Sequence, residues 1–145
     1  SHVLGSQLQI INDELARVLH GIVNFTLELS ADVDTNALDI YIDDGKSQRI
    51  FELSSGMERM IGSLALRVAL LNVSSLPKSD MLVIDEGFGV LDDTNIEAVS
   101  RLLRGLRKWF KHVIIVTHID GLKDAVDNVI EVSVDEHGFS SVRYE

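Results

Sequence analysis

At 145 residues, with 46% hydrophobic residues and a single proline, the chain has the size of one domain, can bury a sizeable core and falls outside the disordered class. It holds no cysteine, which excludes disulfides and thiolate metal sites within it, and no apolar run reaches the length of a membrane span. The net charge of −10 argues against a general nucleic-acid-binding surface, so any such contact needs a local basic patch. A cytoplasmic setting is the expectation, and Ser1 to Ser6 read as a boundary outside the fold.

Leu8, Ile11, Leu15 and Val18 recur at three- and four-residue spacing, the pattern of an amphipathic helix to about His20. The spacing also fits a coiled-coil seam, but fewer than two heptads are present, so an ordinary surface helix stands beside that reading. Gly21 ends the helix. Val23, Phe25, Leu27 and Leu29 then alternate with polar residues as a half-buried strand, and Leu38, Ile40 and Ile42 repeat the alternation. Asp43-Asp44-Gly45-Lys46 is a hairpin turn with the favoured Asp-Gly pair, and Gln48 to Leu53 returns as a third strand of an antiparallel meander. Gly45-Lys46-Ser47 has the ending of a phosphate-cradling loop, G-x-x-x-x-G-K-[ST]. However, Ile40 stands where the first glycine belongs, Asp43 and Asp44 would repel phosphate, and no helix follows. The chain therefore carries no P-loop.

Ser54-Ser55-Gly56 precedes a long helical pattern. Met60, Ile61, Leu64, Leu66, Val68, Leu70 and Leu71 make it apolar on most faces and predict a largely buried helix. Hydroxyls and free N–H groups at a helix start bind anions. Ser55 with Glu58 three residues on also matches a capping box, and the two readings are compatible. After a loop from Ser74 to Asp80, the apolar run Met81 to Ile84 predicts a strand buried on both faces, ending in Asp85 and Glu86. Ionised carboxylates there are costly unless paired. A hydrated Mg²⁺, which takes one or two carboxylates, would pair them and leave the neighbouring acid free to orient or deprotonate a water. Ligands of open α/β sheets bind at this end of the strands. The plainer alternative is a strand followed by an acidic, Gly-containing turn.

Asp93-Thr94-Asn95 caps a helix to about Phe110, with Ile96, Val99, Leu102, Leu103 and Leu106 inward. Arg101, Arg104, Lys108 and Lys111 fall on another face, as a solvated stripe or a contact for DNA phosphates. Val113 to Val116 is another apolar strand, ending in Thr117-His118. A short helix from Gly121 to Val126, a strand from Asn128 to Val134, a turn at Glu136-His137-Gly138 and a closing strand from Phe139 to Tyr144 complete the chain. Helices between apolar strands make this half α/β with parallel pairing. His20, His112 and His137 read as surface or strand-end residues, and Met60 and Trp109 as core or lobe contacts.

A Ser-Ser-Gly helix start, a strand ending Asp-Glu and a later strand ending Thr-His, in that order, resemble the C-terminal lobe of an ABC-type ATPase. Leu53 to Glu58 resembles the signature motif Leu-Ser-Gly-Gly-Glu, with Ser55 in place of a Gly, Met57 where the acid stands and Glu58 one place later. Asp85-Glu86 resembles the Walker B end, Val90-Leu91-Asp92 the D-loop and His118 the switch histidine; together these cover residues 53 to 118. Asp-Glu-Gly-Phe-Gly-x-Leu-Asp looks most like the SbcC-type double-strand-break-repair ATPases, relatives of the SMC proteins. The resemblance implies an α/β fold class: the C-terminal half of an ABC-type P-loop ATPase head, an antiparallel meander followed by a mostly parallel sheet with flanking helices. Residues 1–20 would be the stub of a coiled coil or lead-in helix, and 21–145 the lobe. It implies ATP and Mg²⁺ as cofactors, with Asp85 holding Mg²⁺ through water and Glu86 orienting or deprotonating the attacking water. His118 would contact the γ-phosphate. Ser54, Ser55 and Gly56 would cap the γ-phosphate bound by the opposite head, and Asp92 would lie at the dimer seam. The implied partners are an N-terminal P-loop lobe, a second head, a metal-dependent nuclease and DNA, with no membrane, in the nucleoid or, in a eukaryote, the nucleus. The lobe alone would be an inactive half-site. A chromosome-organising SMC head and a structural lobe without turnover are the alternatives.

Overall fold

The computed structural model describes residues 2–32, 35, 37–85 and 93–145. Helix α1 (His2–Leu19) opens the chain and starts earlier than its apolar spacing predicted; Gly21, at φ 74°, turns the chain after it. A three-stranded antiparallel sheet follows in the order β1 (Thr26–Ala31), β2 (Leu38–Asp43), β3 (Gln48–Ile50). Leu27 pairs with Ile42, and Ile42 with Arg49. The alternation buries Leu27, Leu29 and Ile42 on one face, against Leu15, Val18 and Leu19 of α1 in a common core. Asn12 joins the two elements at the sheet edge. Its amide nitrogen donates to the Leu29 carbonyl at 3.0 Å and its amide oxygen accepts from the Leu29 N–H at 2.8 Å, so one side chain takes the place of a further strand.

The third strand is shorter than expected. At Phe51 the chain leaves the sheet in a 3-10 turn (Phe51–Leu53), which swings the Phe51 ring into the core. Helix α2 (Gly56–Val73) starts directly beyond it and crosses that ring at Gly62. A β-carbon at Gly62 would lie 2.6 Å from the ring and 2.9 Å from a Leu27 methyl, both buried, so only glycine allows this approach. Gly62→Ala is therefore expected to lower the denaturant midpoint by about 1 kcal/mol or more of stability: overpacking costs about 1–3 kcal/mol and the helix-propensity gain returns at most about 1. Contrary to the expectation of burial on most faces, α2 buries one stripe, Ile61, Leu64, Ala65, Val68 and Ala69, and leaves Leu70, Leu71 and Val73 in solvent.

In the second half β4 (Met81–Asp85) and β5 (His112–Val116) pair in parallel, joined through α3 (Asp93–Leu106). The helix stops short of Phe110, which is buried all the same, with Trp109 packed partly beside it. The short helix expected near Gly121 is a 3-10 segment (Asp120–Ala125) whose Leu122 is buried. A closing antiparallel hairpin, β6 (Ile130–Val134) and β7 (Ser140–Tyr144), turns at Gly138, φ 82°.

The strand expected to be buried on both faces is covered on one. Leu82, Ile84, Val113 and Ile115 pack against the core, whereas Met81, Val83, Ile114 and Val116 are 50%, 54%, 47% and 48% exposed. Parallel sheets are ordinarily covered on both sides. Within the described residues the helices cover one side only, and the apolar run records a burial that this chain does not itself supply.

Candidate functional site

Two chain segments carry the predicted site residues that are described. The first is the start of α2. Ser55 is its N-cap: its hydroxyl accepts from the Glu58 N–H at 3.2 Å, and the Glu58 carboxylate accepts from the Ser55 N–H at 2.8 Å. The expected capping box is thus present, and Gly56 is the first helical residue. Ser54 sits immediately outside. It is 6% exposed, its N–H donates to the Phe51 carbonyl at 3.0 Å, and its Oγ has no hydrogen-bond partner. Among the described residues it is the buried polar side-chain atom left unsatisfied. Such a hydroxyl costs about 1–3 kcal/mol where it stands, and it does so beside a helix start that favours anions.

The second segment is the carboxyl end of β4 and β5. Asp85 is in register with Val116, so Asp85 and the Thr117-His118 step leave the sheet at the same end. Asp85 and His118 are both exposed there, and Thr117 Oγ1 accepts from the Ile119 N–H at 3.1 Å, fixing the turn beyond the strand. Asp85 follows Met81 and Val83 on the bare face of the sheet. Glu86 and Asp92, with the Walker B and D-loop stretch between them, lie outside the described residues. No group of three or more His, Cys, Asp or Glu side chains that could hold a metal occurs among the described residues. A lone strand-end carboxylate fits Mg²⁺, which binds through one or two carboxylates and keeps its waters, rather than an all-protein cage.

His20, His112 and His137 are exposed, as expected. In the basic stripe, Arg101 is committed to Glu97 at 2.8 Å and to the Ile22 carbonyl at 3.3 Å, and Lys111 to Asp80 at 2.8 Å. These pairings favour the solvated-face reading. Among the described residues no helix is long and apolar enough to cross a membrane.

One set of residues escaped the sequence reading. Arg49 of β3 donates to Asp44 at 3.1 Å and to Glu58 at 2.8 Å. Burial pushes the Glu58 carboxyl up, but the Ser55 N–H, the Arg49 guanidinium and the Ser55 hydroxyl outweigh it and hold the group below its ordinary value. The Ser47 and Lys46 N–H groups, with Arg49, bring Asp44 to about 2. Arg49 and Glu58 lie on different elements, and no periodicity links them.

No family model matches the chain. Protein R555 of Acanthamoeba polyphaga mimivirus, itself uncharacterized, is 30% identical over 146 residues, covering 90% of this chain. The SbcC polypeptide of the nuclease SbcCD from Deinococcus radiodurans is 35% identical over 98 residues, 67% of this chain. The chain spans 11% of the length of each. Among solved structures, a chain described in connection with ATP-driven dimerization and DNA-stimulated activation of SMC ATPases superimposes with a TM-score of 0.78 at 22% identity, over 99% of this chain and 88% of that one. The fold is that of an SMC-type ATPase head. Taken with the SbcC relatives, the chain matches the C-terminal lobe of an SbcC/SMC-type ABC ATPase.

Proposed function

We propose that this chain is the C-terminal half of an SMC-like DNA-repair ATPase, which binds and hydrolyses ATP at a composite site shared with a P-loop-bearing N-terminal lobe and a second head. The observation that carries the reading is the orphaned, buried Ser54 Oγ at the start of α2. A phosphate oxygen of a nucleotide held by the opposite head supplies its missing partner, and the free N–H groups of the first turn add to the same contact.

The triphosphate and Mg²⁺, when bound, supply the transferable phosphoryl group and the charge that screens it. The residues of this chain then position and polarise. Asp85 orients a metal-bound water from the end of β4, Glu86 accepts a proton from the attacking water, and His118 donates to the γ-phosphate. Ser54, Ser55 and Gly56 close the far side, and Asp92 meets the second head. Phosphoryl transfer depends mainly on positioning and charge, so a half-site of this kind is inert until its partner arrives. The bare face of β4 and β5 fits the same picture, because the missing cradle and the missing cover call for one further lobe.

The SbcC relatives favour a metal-dependent nuclease as partner and DNA ends as substrate over a chromosome-organising role. The test combines the lobe with its P-loop lobe and follows ATP turnover and, by light scattering, head dimerisation. Both are expected only when the two lobes are present together. A combined head that neither binds nor hydrolyses ATP returns the chain to the structural-lobe reading.

A further inference from the structure

We infer that the β2–β3 hairpin is a strut that sets the position of the α2 start, with Arg49 and Glu58 as its positioning residues. The inference rests on the assignment of Ser54, Ser55 and Gly56 to a phosphate contact.

The strut can be followed bond by bond. Its root is the core, where Ile42 is fully buried and pairs with Arg49 across β2 and β3. Its far end is a turn that closes on itself: Asp43 accepts from the Gly45 N–H at 2.7 Å, and one Asp44 oxygen accepts from the Lys46 and Ser47 N–H groups, each at 2.9 Å. Gly45 takes φ 80°, which a residue with a side chain adopts at a cost. The second Asp44 oxygen accepts from Arg49 Nη1, so the turn holds the guanidinium in one orientation. Arg49 Nη2 then reaches Glu58 Oε1, and Glu58 Oε2 holds the Ser55 N–H. An ordinary capping box needs only the last of these bonds. Here the capping carboxylate is divided between the helix it caps and a separate sheet. The arginine side chain is 28% exposed and the glutamate 16%, so the pair is shielded more than a surface ion pair. A planar guanidinium bridging two carboxylates fixes direction as well as charge, which a lysine cannot reproduce in full.

Ser54 and Gly56 flank the residue so held, and a phosphate contact tolerates little misplacement. Loosening the strut therefore weakens the contact with the opposite head while leaving nucleotide affinity within one head untouched, since the cradle lies on the other lobe. In the assembled head, Arg49→Met is expected to weaken ATP-driven dimerisation about tenfold with single-head ATP affinity unchanged, and Arg49→Lys to recover part of the loss. Dimerisation by Arg49→Met equal to that of the unaltered head, with Ser54→Arg blocked alongside, overturns the strut alone. Normal dimerisation by Ser54→Arg removes the phosphate contact and the strut with it. Should Arg49→Met unfold, Glu58→Gln carries the test, because glutamine keeps the cap and weakens only the arginine bond; unaltered dimerisation there overturns the proposal.

Discussion

Replacement of Glu86 by glutamine is expected to leave ATP binding by the assembled head intact and to slow its hydrolysis by roughly 10²–10⁴-fold, the range that a positioned general base contributes. Glutamine keeps the size and hydrogen-bonding reach of glutamate but cannot take a proton, so the effect falls on the chemical step and not on nucleotide affinity. Glu86 lies outside the described residues, and the expectation rests on its place in the chain. It follows Asp85, which pairs with Val116 at the carboxyl end of the parallel strands, two residues before His118. Both strands therefore deliver their polar ends to one edge of the sheet, where ligands of α/β folds bind. Single-turnover hydrolysis with nucleotide binding measured in parallel separates the outcomes. Full hydrolysis by Glu86→Gln would remove this residue as the base, and lost binding would make its role structural.

The parts of the fold that the sequence made legible are those whose periodicity answers to contacts inside the chain. Leu15 and Val18 on α1, Leu27 and Leu29 on β1 and the stripe of α3 all face the core their spacing predicted. The errors occur where burial comes from elsewhere. Met81 to Ile84 and the exposed Leu70, Leu71 and Val73 read as buried because they are apolar, and composition does not record which polypeptide covers a residue. Phe51 misled in another way. Its ring is drawn inward beneath Gly62, and the turn this requires ends β3 after Ile50. At the site, the Ser55–Glu58 cap was legible because it is local, at a fixed offset. The Arg49–Glu58 bond was not, because it joins two elements at a separation no local rule anticipates.

Ser54 allows a test in which the two explanations of the residue predict opposite signs. If the hydroxyl were a structural polar group, removing it with Ser54→Ala would cost stability. Its Oγ is buried without a partner, however, so alanine relieves an unmet desolvation cost and is expected to leave the lobe as stable as before or more so, by up to about 1–2 kcal/mol. The neighbouring cap is untouched, since Ser55 and not Ser54 accepts from Glu58. The same substitution removes a hydrogen bond to a charged phosphate from the dimer, a bond worth about 1.5–3 kcal/mol, so ATP-driven association should weaken by about tenfold or more. Ser54→Arg should abolish it, because a long cationic side chain cannot occupy a buried serine position and must displace the opposing nucleotide. Denaturant titration of Ser54→Ala and light scattering of both variants with ATP read the two effects separately. A destabilised alanine variant that still dimerises normally would make Ser54 an element of the turn before α2 and nothing more. A head that keeps its stability while losing its partner identifies the unsatisfied hydroxyl as a binding group, held ready in the free lobe at a cost that the nucleotide across the interface offsets.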